Sequence, residues 1–352
     1  MKGFAYAIAM VLLLSVPVFA QEQVAVLVSD NPADLAVARM LAEKLGAELV
    51  VTPWGTLSQQ AVEQIEASGA EVVYVVGGEV AVPDAEQELE KLNVEVRRLA
   101  GRDRYHTAAL VARLWGSAEK AVMVEGYDEE GIQEALENAR RMGMPLLFVK
   151  PEGVPEEVEE ALENLSCREV VLIPAPHMMR ERIRERLRVK GVEKVNVTLV
   201  NAEERARKAI ERAEEAIERA EEALGTENLS YEELDGRKVA AIRLLINAKK
   251  HLDAAEDAFD AGNYGMAFGM AVAAKAKAEA ALKIQEGVVV GNYRRCVEDA
   301  EEEMGHKGLG RLGRELAEDM RRYGLRMHLM MELEGNNTGN NVPGRAHGLG
   351  GR

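Results

Sequence analysis

A repeated alternation of strands and helices is the feature that most restricts the fold of this chain. Between residues 23 and 200, short apolar runs rich in β-branched residues alternate with segments of helical periodicity. Four of these segments recur in the second half at a spacing that drifts only from 96 to 98 positions. The matching pairs are residues 25–28 with 121–124, 46–50 with 143–147, 71–75 with 169–173, and 94–97 with 192–195. Such regular spacing indicates an internal duplication.

The strand segments are apolar without alternation, which is typical of parallel sheets that helices cover on both faces. We therefore predict an α/β fold of two tandem, doubly wound parallel-sheet repeat units, joined through a helix at 104–115 and followed by an all-α antiparallel helical bundle. The predicted domains are a signal peptide at 1–20, repeat 1 at 21–103, repeat 2 at 104–200, an Ala-rich helical bundle at 201–334 and a disordered tail at 335–352.

The period becomes helical from residue 201 onward. Alanines step by four and three positions in two separate segments, a heptad seam of small side chains that lets helices approach closely. They are Ala202, Ala206, Ala209, Ala213, Ala216, Ala220 and Ala223 in the first segment, and Ala267, Ala271, Ala274, Ala278 and Ala281 in the second. We expect this coiled-coil-like region to serve assembly, as a homo-oligomer or with a helical partner, or presentation. The tail is rich in Gly and Asn and cannot bury a core.

The charge balance excludes one class of function. Sixty acidic residues against 44 basic ones give a net charge of −16, whereas a dedicated nucleic-acid binder needs a net basic face. The excess of Glu over Gln is typical of proteins from hot environments and suggests a thermophile.

The N-terminus has the pattern of a secretory signal peptide. Lys2 precedes an apolar run over residues 5–14, and Ala20 is a small residue at the expected cleavage site. We therefore expect an extracellular, cell-surface protein with no membrane span after cleavage. In that oxidising compartment Cys167 and Cys296 can pair or remain two separate buried thiols, and the sequence leaves both alternatives open.

Glycosylation signals are more frequent than composition predicts. Sequons of the form N-x-[ST] begin at Asn164, Asn196, Asn228 and Asn336, whereas chance gives about half a sequon for this composition. The excess predicts an N-glycosylated surface protein of a eukaryote or an archaeon, with at least two of the four asparagines exposed in loops or at element ends.

Three segments of the first repeat carry a family resemblance. They are Arg97-Arg98-Leu99-Ala100-Gly101-Arg102-Asp103-Arg104-Tyr105-His106-Thr107, the helix start Ala33-Asp34-Leu35-Ala36, and the turn Gly77-Gly78 followed by Val82-Pro83. Together they resemble the cell wall-binding repeat 2 family over residues 24–113. The second repeat matches less well, because Pro174-Ala175-Pro176 stands in place of the Gly-Gly turn and Gly131 stands near the Asp position.

The resemblance implies a non-covalent surface anchor that binds an anionic envelope polymer or an S-layer component. Combined with the sequons, it suggests an archaeal envelope. The implied ligand-binding residues are Asp34, Arg97, Arg98, Gly101, Arg102, Arg104 and Thr107, with Gly77 and Gly78 forming the turn.

The residues themselves allow two interpretations of this segment. Four guanidinium groups within eight positions suit carboxylate or phosphate oxygens, Gly101 can supply a turn with positive φ, and Asp103 can cap the following helix. In the alternative, the arginines pair with acidic residues and lock the two repeats together. The Gly77-Gly78 turn can likewise cradle a phosphate or be a plain strand-to-helix turn.

The sequence contains no positive indication of catalysis. His106 and His177 are isolated, and neither HExxH nor CxxC spacing occurs, so we expect no metal, no cofactor and no enzyme. The alternative is an extracellular enzyme that uses the carboxyl edge of the sheet around Asp34, and exposed carboxylates beside Asp34 in a cleft would favour it.

Overall fold

The computed structural model describes residues 23–225, 234–288 and 292–307, and a few positions beyond them (314–316, 318–319 and 322). The predicted signal peptide, the predicted tail and the sequons at Asn228 and Asn336 lie outside the described residues.

The first repeat forms a sheet of four parallel strands in the order β2-β1-β3-β4. The central strand β1 pairs with β2 and β3, so that Val26 lies opposite Leu49 on one side and Tyr74 on the other. In chain order the elements are β1 (Val24–Ser29), α1 (Pro32–Leu45), β2 (Glu48–Thr52), α2 (Gln59–Ser68), β3 (Val72–Val76), α3 (Ala85–Glu90) and β4 (Glu95–Leu99).

The second repeat forms another four-stranded parallel sheet in the equivalent order, β6-β5-β7-β8. Its elements are α4 (Arg104–Arg113), β5 (Lys120–Glu125), α5 (Glu129–Met142), β6 (Leu146–Val149), α6 (Glu156–Leu165), β7 (Glu169–Ile173), α7 (Arg180–Val189) and β8 (Lys194–Val197). The identical strand order confirms the predicted α/β fold of two related units.

Local sequence signals explain where the equivalent helices begin and end. The Asn31 side chain accepts hydrogen bonds from the first turn of α1, and the Asp128 side chain does the same for α5. Both helices end at a glycine in the left-handed conformation, Gly46 (φ 65°) and Gly143 (φ 63°). The two repeats therefore use the same capping devices at matching positions.

Two predicted elements of the first repeat have different lengths in the structure. Val94 and Val96 predict a short strand at 94–96, but β4 extends to Leu99, because Arg97 and Arg98 on this edge strand bond to Glu95 and Glu86. The helix predicted at 83–92 is only six residues long, and it starts after Asp84, which has a positive φ of 53°.

A shared apolar core joins the two repeats. One buried cluster includes Val28 of β1, Ala36 of α1, Ala109 of α4 and Val124 of β5. A second cluster fills the other face of the first sheet, around Leu27 and Ile65. Helix α4 thus connects the two sheets, as the sequence predicts, and contributes to their common core.

The remaining described residues are helical: α8 (Ala202–Leu224), α9 (Gly236–Asp260), α10 (Tyr264–Gln285) and α11 (Asn292–Lys307). Most alanines of the two predicted stripes are buried, including Ala213 in α8 and Ala274 in α10. No helix in these stretches is both long and apolar enough to cross a membrane.

Contacts divide the chain into two compact units. One holds the sheets up to Ile217 together with Asn247–Glu279, and the other holds Glu218–Ile246 and the described residues from Ala280 onward. The first unit therefore contains helical residues beyond position 200. The predicted boundaries at 103/104 and 200/201 stay predictions about domain organisation.

Candidate functional site

The residues of the resembling segment lie where the first sheet passes into the second. The segment covers the end of β4, residues 100–103 and the start of α4, and we call this region the joint. Helix α4 packs against α6 and β6 of the second repeat, while α1 of the first repeat packs against α5. The joint is therefore surrounded by side chains from both repeats.

Arg98 holds the loop that follows β3. Its guanidinium makes two hydrogen bonds of 2.5 Å to the Glu86 carboxylate and donates to the carbonyls of Gly77 and Val82, both at 3.0 Å. Its side chain is only 15% exposed. The hydrogen bonds from Arg98 hold the pKa of Glu86 below its usual value. With its donors engaged in this way, Arg98 stabilises the loop.

Arg97 lies on the outer face of the same strand. Its Nε donates to Glu95 at 2.7 Å, its Nη1 donates to the Tyr74 hydroxyl at 3.1 Å, and its guanidinium carbon is 5.7 Å from the centre of the Tyr74 ring. The side chain is 43% exposed. Arg97 is therefore accessible to solvent, although it has partners within the first repeat.

Arg102 reaches across to the second repeat, whereas Arg104, the first residue of α4, contacts the loop after β5 in its own repeat. Arg102 pairs with Glu157 of α6 and remains 72% exposed. Arg104 donates to the carbonyl of Gly126 at 2.5 Å, and its guanidinium carbon lies 3.9 Å from the centre of the Tyr127 ring. The four arginines thus contact separate partners, and the ion pair of Arg102 with Glu157 is the contact across the joint that the locking interpretation expects.

Gly101 and Thr107 have structural roles at the start of α4. The Gly101 amide donates to the Thr107 hydroxyl at 3.1 Å, and Asp103 caps the helix by accepting from the His106 amide at 2.9 Å. The expectation that Gly101 supplies a positive φ is wrong, because Gly101 is not among the residues with positive φ. The glycine is needed because a Cβ there would lie 2.4 Å from the Cβ of His106.

The Gly77-Gly78 turn follows β3 and leads towards α3. Gly77 has a φ of 113°, a region that favours glycine, and a Cβ at this position would lie 3.5 Å from an Asp34 carboxylate oxygen. Asp34 therefore lies against the turn, and a side chain at position 77 would crowd its carboxylate.

Asp34 is mostly buried in the first turn of α1, where Asn31 and not Asp34 provides the cap. Burial raises its pKa to about 6, and the positive charge of Arg104 opposes this rise. Asp34 is thus neither the cap of α1 nor an exposed carboxylate in a cleft, and only the second placement would favour the enzyme alternative.

A second buried carboxyl at the joint was missed in the sequence. Glu125 ends β5, is 1% exposed, and accepts a hydrogen bond from the Tyr127 amide at 2.9 Å. Burial raises its pKa to about 7, while the Tyr127 hydrogen bond and Arg104 oppose the rise. The available signal was an acidic residue that directly follows the apolar run 121–124, at the position where Ser29 ends the first repeat's central strand.

We call Asp34, Arg104, Glu125 and Tyr127 the joint cluster. Arg104 contributes to the pKa of a carboxyl from each repeat. Tyr105 is buried beside them, and burial together with Glu125 raises the pKa of its hydroxyl. This arrangement links the protonation of two buried carboxyls to one guanidinium. In the described part of the chain, no group of three or more His, Cys, Asp or Glu side chains could hold a metal ion.

The described sequon residues differ in accessibility. Asn164 is exposed near the end of α6. Asn196 is half-buried in β8, and its amide nitrogen donates to Glu169 at 2.6 Å. The two cysteines are both free, with Cys167 buried and Cys296 partly exposed.

Comparisons with known proteins give partial similarities. No family model matches the chain. It is 26% identical over 162 residues to the N-acetylmuramoyl-L-alanine amidase LytC of Bacillus subtilis, a match that covers 46% of this chain and 33% of LytC. It is 28% identical over 179 residues to the uncharacterized protein MJ0755 of Methanocaldococcus jannaschii, covering 48% of this chain and 52% of that protein.

Among solved structures, Cwp6 from Clostridium difficile is similar with a TM-score of 0.43 and 19% sequence identity, and the match covers 53% of this chain and 31% of Cwp6. The chain therefore spans about one third to one half of the length of the proteins it matches here.

Proposed function

We propose that this chain is a non-catalytic protein of the cell envelope, which works at the cell surface and binds a wall polymer at the joint between its two α/β repeats. The helical region then serves assembly or presentation. Sequence similarity to LytC, an amidase named for N-acetylmuramoyl-L-alanine, supports an association with the cell wall. Archaeal origin, a hot environment and N-glycosylation stay predictions from the sequence.

The exposure of Arg102 is the observation that carries the polymer-binding proposal. Its guanidinium is 72% exposed and makes one ion pair, with Glu157, whose side chain is only 14% exposed. An anionic group of a polymer can therefore reach the exposed side of Arg102 while Glu157 stays paired with it. Arg97 is a second accessible cation on the adjoining strand, whereas Arg98 is committed to the loop after β3.

Acidic residues in the loops at the carboxyl edge of the first sheet argue against polymer binding at that edge. They favour a binding site at the joint. Asp30, Glu79 and Asp84 are exposed in these loops and would repel an anionic polymer. The arginines that remain accessible lie on β4 and in the segment after it, beside this acidic edge.

Co-sedimentation with envelope fragments of the source organism tests the proposal. Arg102→Gln should weaken binding roughly fivefold at low salt, the equivalent of about 1 kcal/mol for one exposed ionic contact. High salt should remove the difference, because exposed charges are screened over about 10 Å at ~0.1 M.

Arg168→Gln is the matched control, since Arg168 is 66% exposed and pairs with Glu193 at the amino end of the second sheet. Its binding should equal that of the wild type, and circular dichroism should show both variants folded at the assay temperature. Equal binding by Arg102→Gln and the wild type would contradict the proposal.

A second candidate function is an extracellular enzyme that works at Asp34 and Glu125. The raised pKa values of these two carboxyls favour it, because groups that titrate near neutral pH can act as acids and bases. Release of amines or reducing ends from envelope fragments, lost in both Asp34→Asn and Glu125→Gln, would support it. The absence of any release by the wild-type protein would leave the binding function.

A further inference from the structure

Helical residues of the same compact unit cover the carboxyl edge of the second sheet. We call residues 202–217 of α8 and 264–279 of α10 the covering helices. From α8, Arg205 is 8% exposed and bonds to Asp128, the buried N-cap of α5, and to Glu134 at 2.6 Å. This guanidinium lies directly at the N-terminus of α5, at the end of the sheet where ligands of open α/β folds bind.

The second covering helix contacts the same edge. Lys275 of α10 bonds to Glu129 at 2.5 Å. The ring of His177, in the loop after β7, lies 5.1 Å from the ring of Phe268. A Cβ at Gly265 would lie 3.2 Å from the carbonyl of Pro176, so the helix backbone approaches this loop closely.

A comparison of equivalent positions in the two repeats shows that the second repeat lacks the buried carboxylate of the first helix. Gly131 occupies the position of α5 that corresponds to Asp34 of α1. A Cβ at Gly131 would lie 2.8 Å from Nη1 of Arg205 and 2.4 Å from an oxygen of Asp128. A side chain like that of Asp34 therefore does not fit at position 131 while the Asp128 carboxylate caps α5 and Arg205 lies against it.

The carboxyl edge of the first sheet differs from that of the second sheet in its contacts with the covering helices. Asp30, Glu79 and Val80 are exposed there, and among the described residues no hydrogen bond or ion pair joins them to the covering helices. The two edges, equivalent by descent from one repeat, thus have different surroundings.

We infer that the second repeat supports the covering helices and is not a ligand-binding unit. Polymer binding is then confined to the first repeat and the joint. This inference rests on the proposed function. Charge supports it, because Asp128, Glu129, Glu130 and Glu134 surround the N-terminus of α5 and would repel an anionic polymer if the helices left. Their partners on the covering helices are Arg205, Lys208, Arg212 and Lys275.

Removing two of these cations tests whether the ion pairs hold the covering helices against the second repeat. In the double variant Arg205→Gln/Lys275→Gln of the full chain, amide hydrogen exchange in residues 126–134 and 174–179 should become roughly tenfold faster, because the edge loses its cover. The control is Arg207→Gln/Lys277→Gln, which removes the same charge from the same helices at residues without ion pairs in the described part of the structure. Its exchange should be unchanged.

The same proteins are then tested for binding to envelope fragments. The double variant should bind like the wild type, because the joint is untouched. Stronger binding, about threefold or more, would overturn the inference, since it would mean that the helices had blocked a second ligand site. Unchanged exchange in residues 126–134 would also overturn it.

The design separates a failure of the proposed function from a failure of this inference, and it includes a replacement variant. If the wild type binds no envelope fragments, the proposed function fails. Hydrogen exchange still decides whether these ion pairs hold the covering helices against the second repeat. If the double variant does not fold by circular dichroism, the single variant Lys275→Gln replaces it, with the same expectation confined to residues 126–134.

Discussion

The stability of the compact unit that contains both sheets should decrease as the pH rises from about 4 to about 7. Burial raises the pKa of Asp34 from 3.8 to about 6 and that of Glu125 from 4.5 to about 7. Because the folded protein holds more protons than the unfolded chain in this window, the contribution of both groups to the free energy of unfolding is fully present at low pH. It is lost as the pH rises through their folded pKa values.

The size of the effect follows from the same values. One tenfold change in proton affinity corresponds to about 1.4 kcal/mol, so ionising each buried carboxyl costs about 3 kcal/mol in the folded state. Glu125→Gln should therefore be more stable than the wild type by up to about 3 kcal/mol at about pH 8 and nearly equal to it below about pH 4. Asp34→Asn should behave in the same way, with its transition at lower pH.

Urea unfolding followed by the fluorescence of Trp54 and Trp115 measures this difference, because both tryptophans belong to the unit that contains the joint cluster. Other groups titrate as well, and burial lowers the pKa of His177, which acts in the opposite direction. The difference between variant and wild type isolates the carboxyl. Glu66→Gln, an exposed carboxyl on α2, serves as the control. A difference between Glu125→Gln and the wild type that stays constant from low to high pH would refute the reasoning.

Three further changes have definite expected outcomes. Arg98→Gln should lower the free energy of unfolding by roughly 2 kcal/mol, because it leaves buried acceptors unpaired. The control Arg97→Gln, at the more exposed neighbouring residue, should leave the urea midpoint nearly unchanged. Equal midpoints for the two variants would be inconsistent with a role of Arg98 in holding the loop. Gly101→Ala should cost about 1–3 kcal/mol through steric overlap at the start of α4, and a wild-type melting temperature would argue against that close approach. In a host that N-glycosylates, mass spectrometry should find glycan on Asn164 and not on Asn196, and the reverse pattern would contradict this assignment.

The order of strands and helices was predictable because it depends on local patterns. Unbroken apolar runs such as residues 72–76 belong to strands covered on both faces, and Gly46 and Gly143 end helices for the same conformational reason in both repeats. Where the local pattern was ambiguous, the prediction failed. The predicted strand ended at 96, yet β4 also includes Arg97 and Arg98, whose guanidiniums bond to Glu95 on the same strand, to Tyr74 of β3 and to Glu86 of α3.

The candidate site was predictable only in part. The sequence located the arginines of the joint, but the partner of Arg102 is 55 positions away and that of Arg205 is 77 positions away. No local pattern predicts which acid a flexible guanidinium will meet across such a distance. Glu125 was missed for a related reason, since the largest cause of its raised pKa is burial in the folded second repeat, which no local pattern shows.

Hydrogen exchange in the presence of wall polymer tests the central claim most directly. The full chain is labelled with and without soluble polymer released from envelope fragments by mild acid. Binding at the joint predicts slower exchange in peptides that cover residues 97–107 and 154–160, with no change in residues 126–134 beneath the covering helices. Protection confined to residues 126–134, or to the helices themselves, would contradict the account.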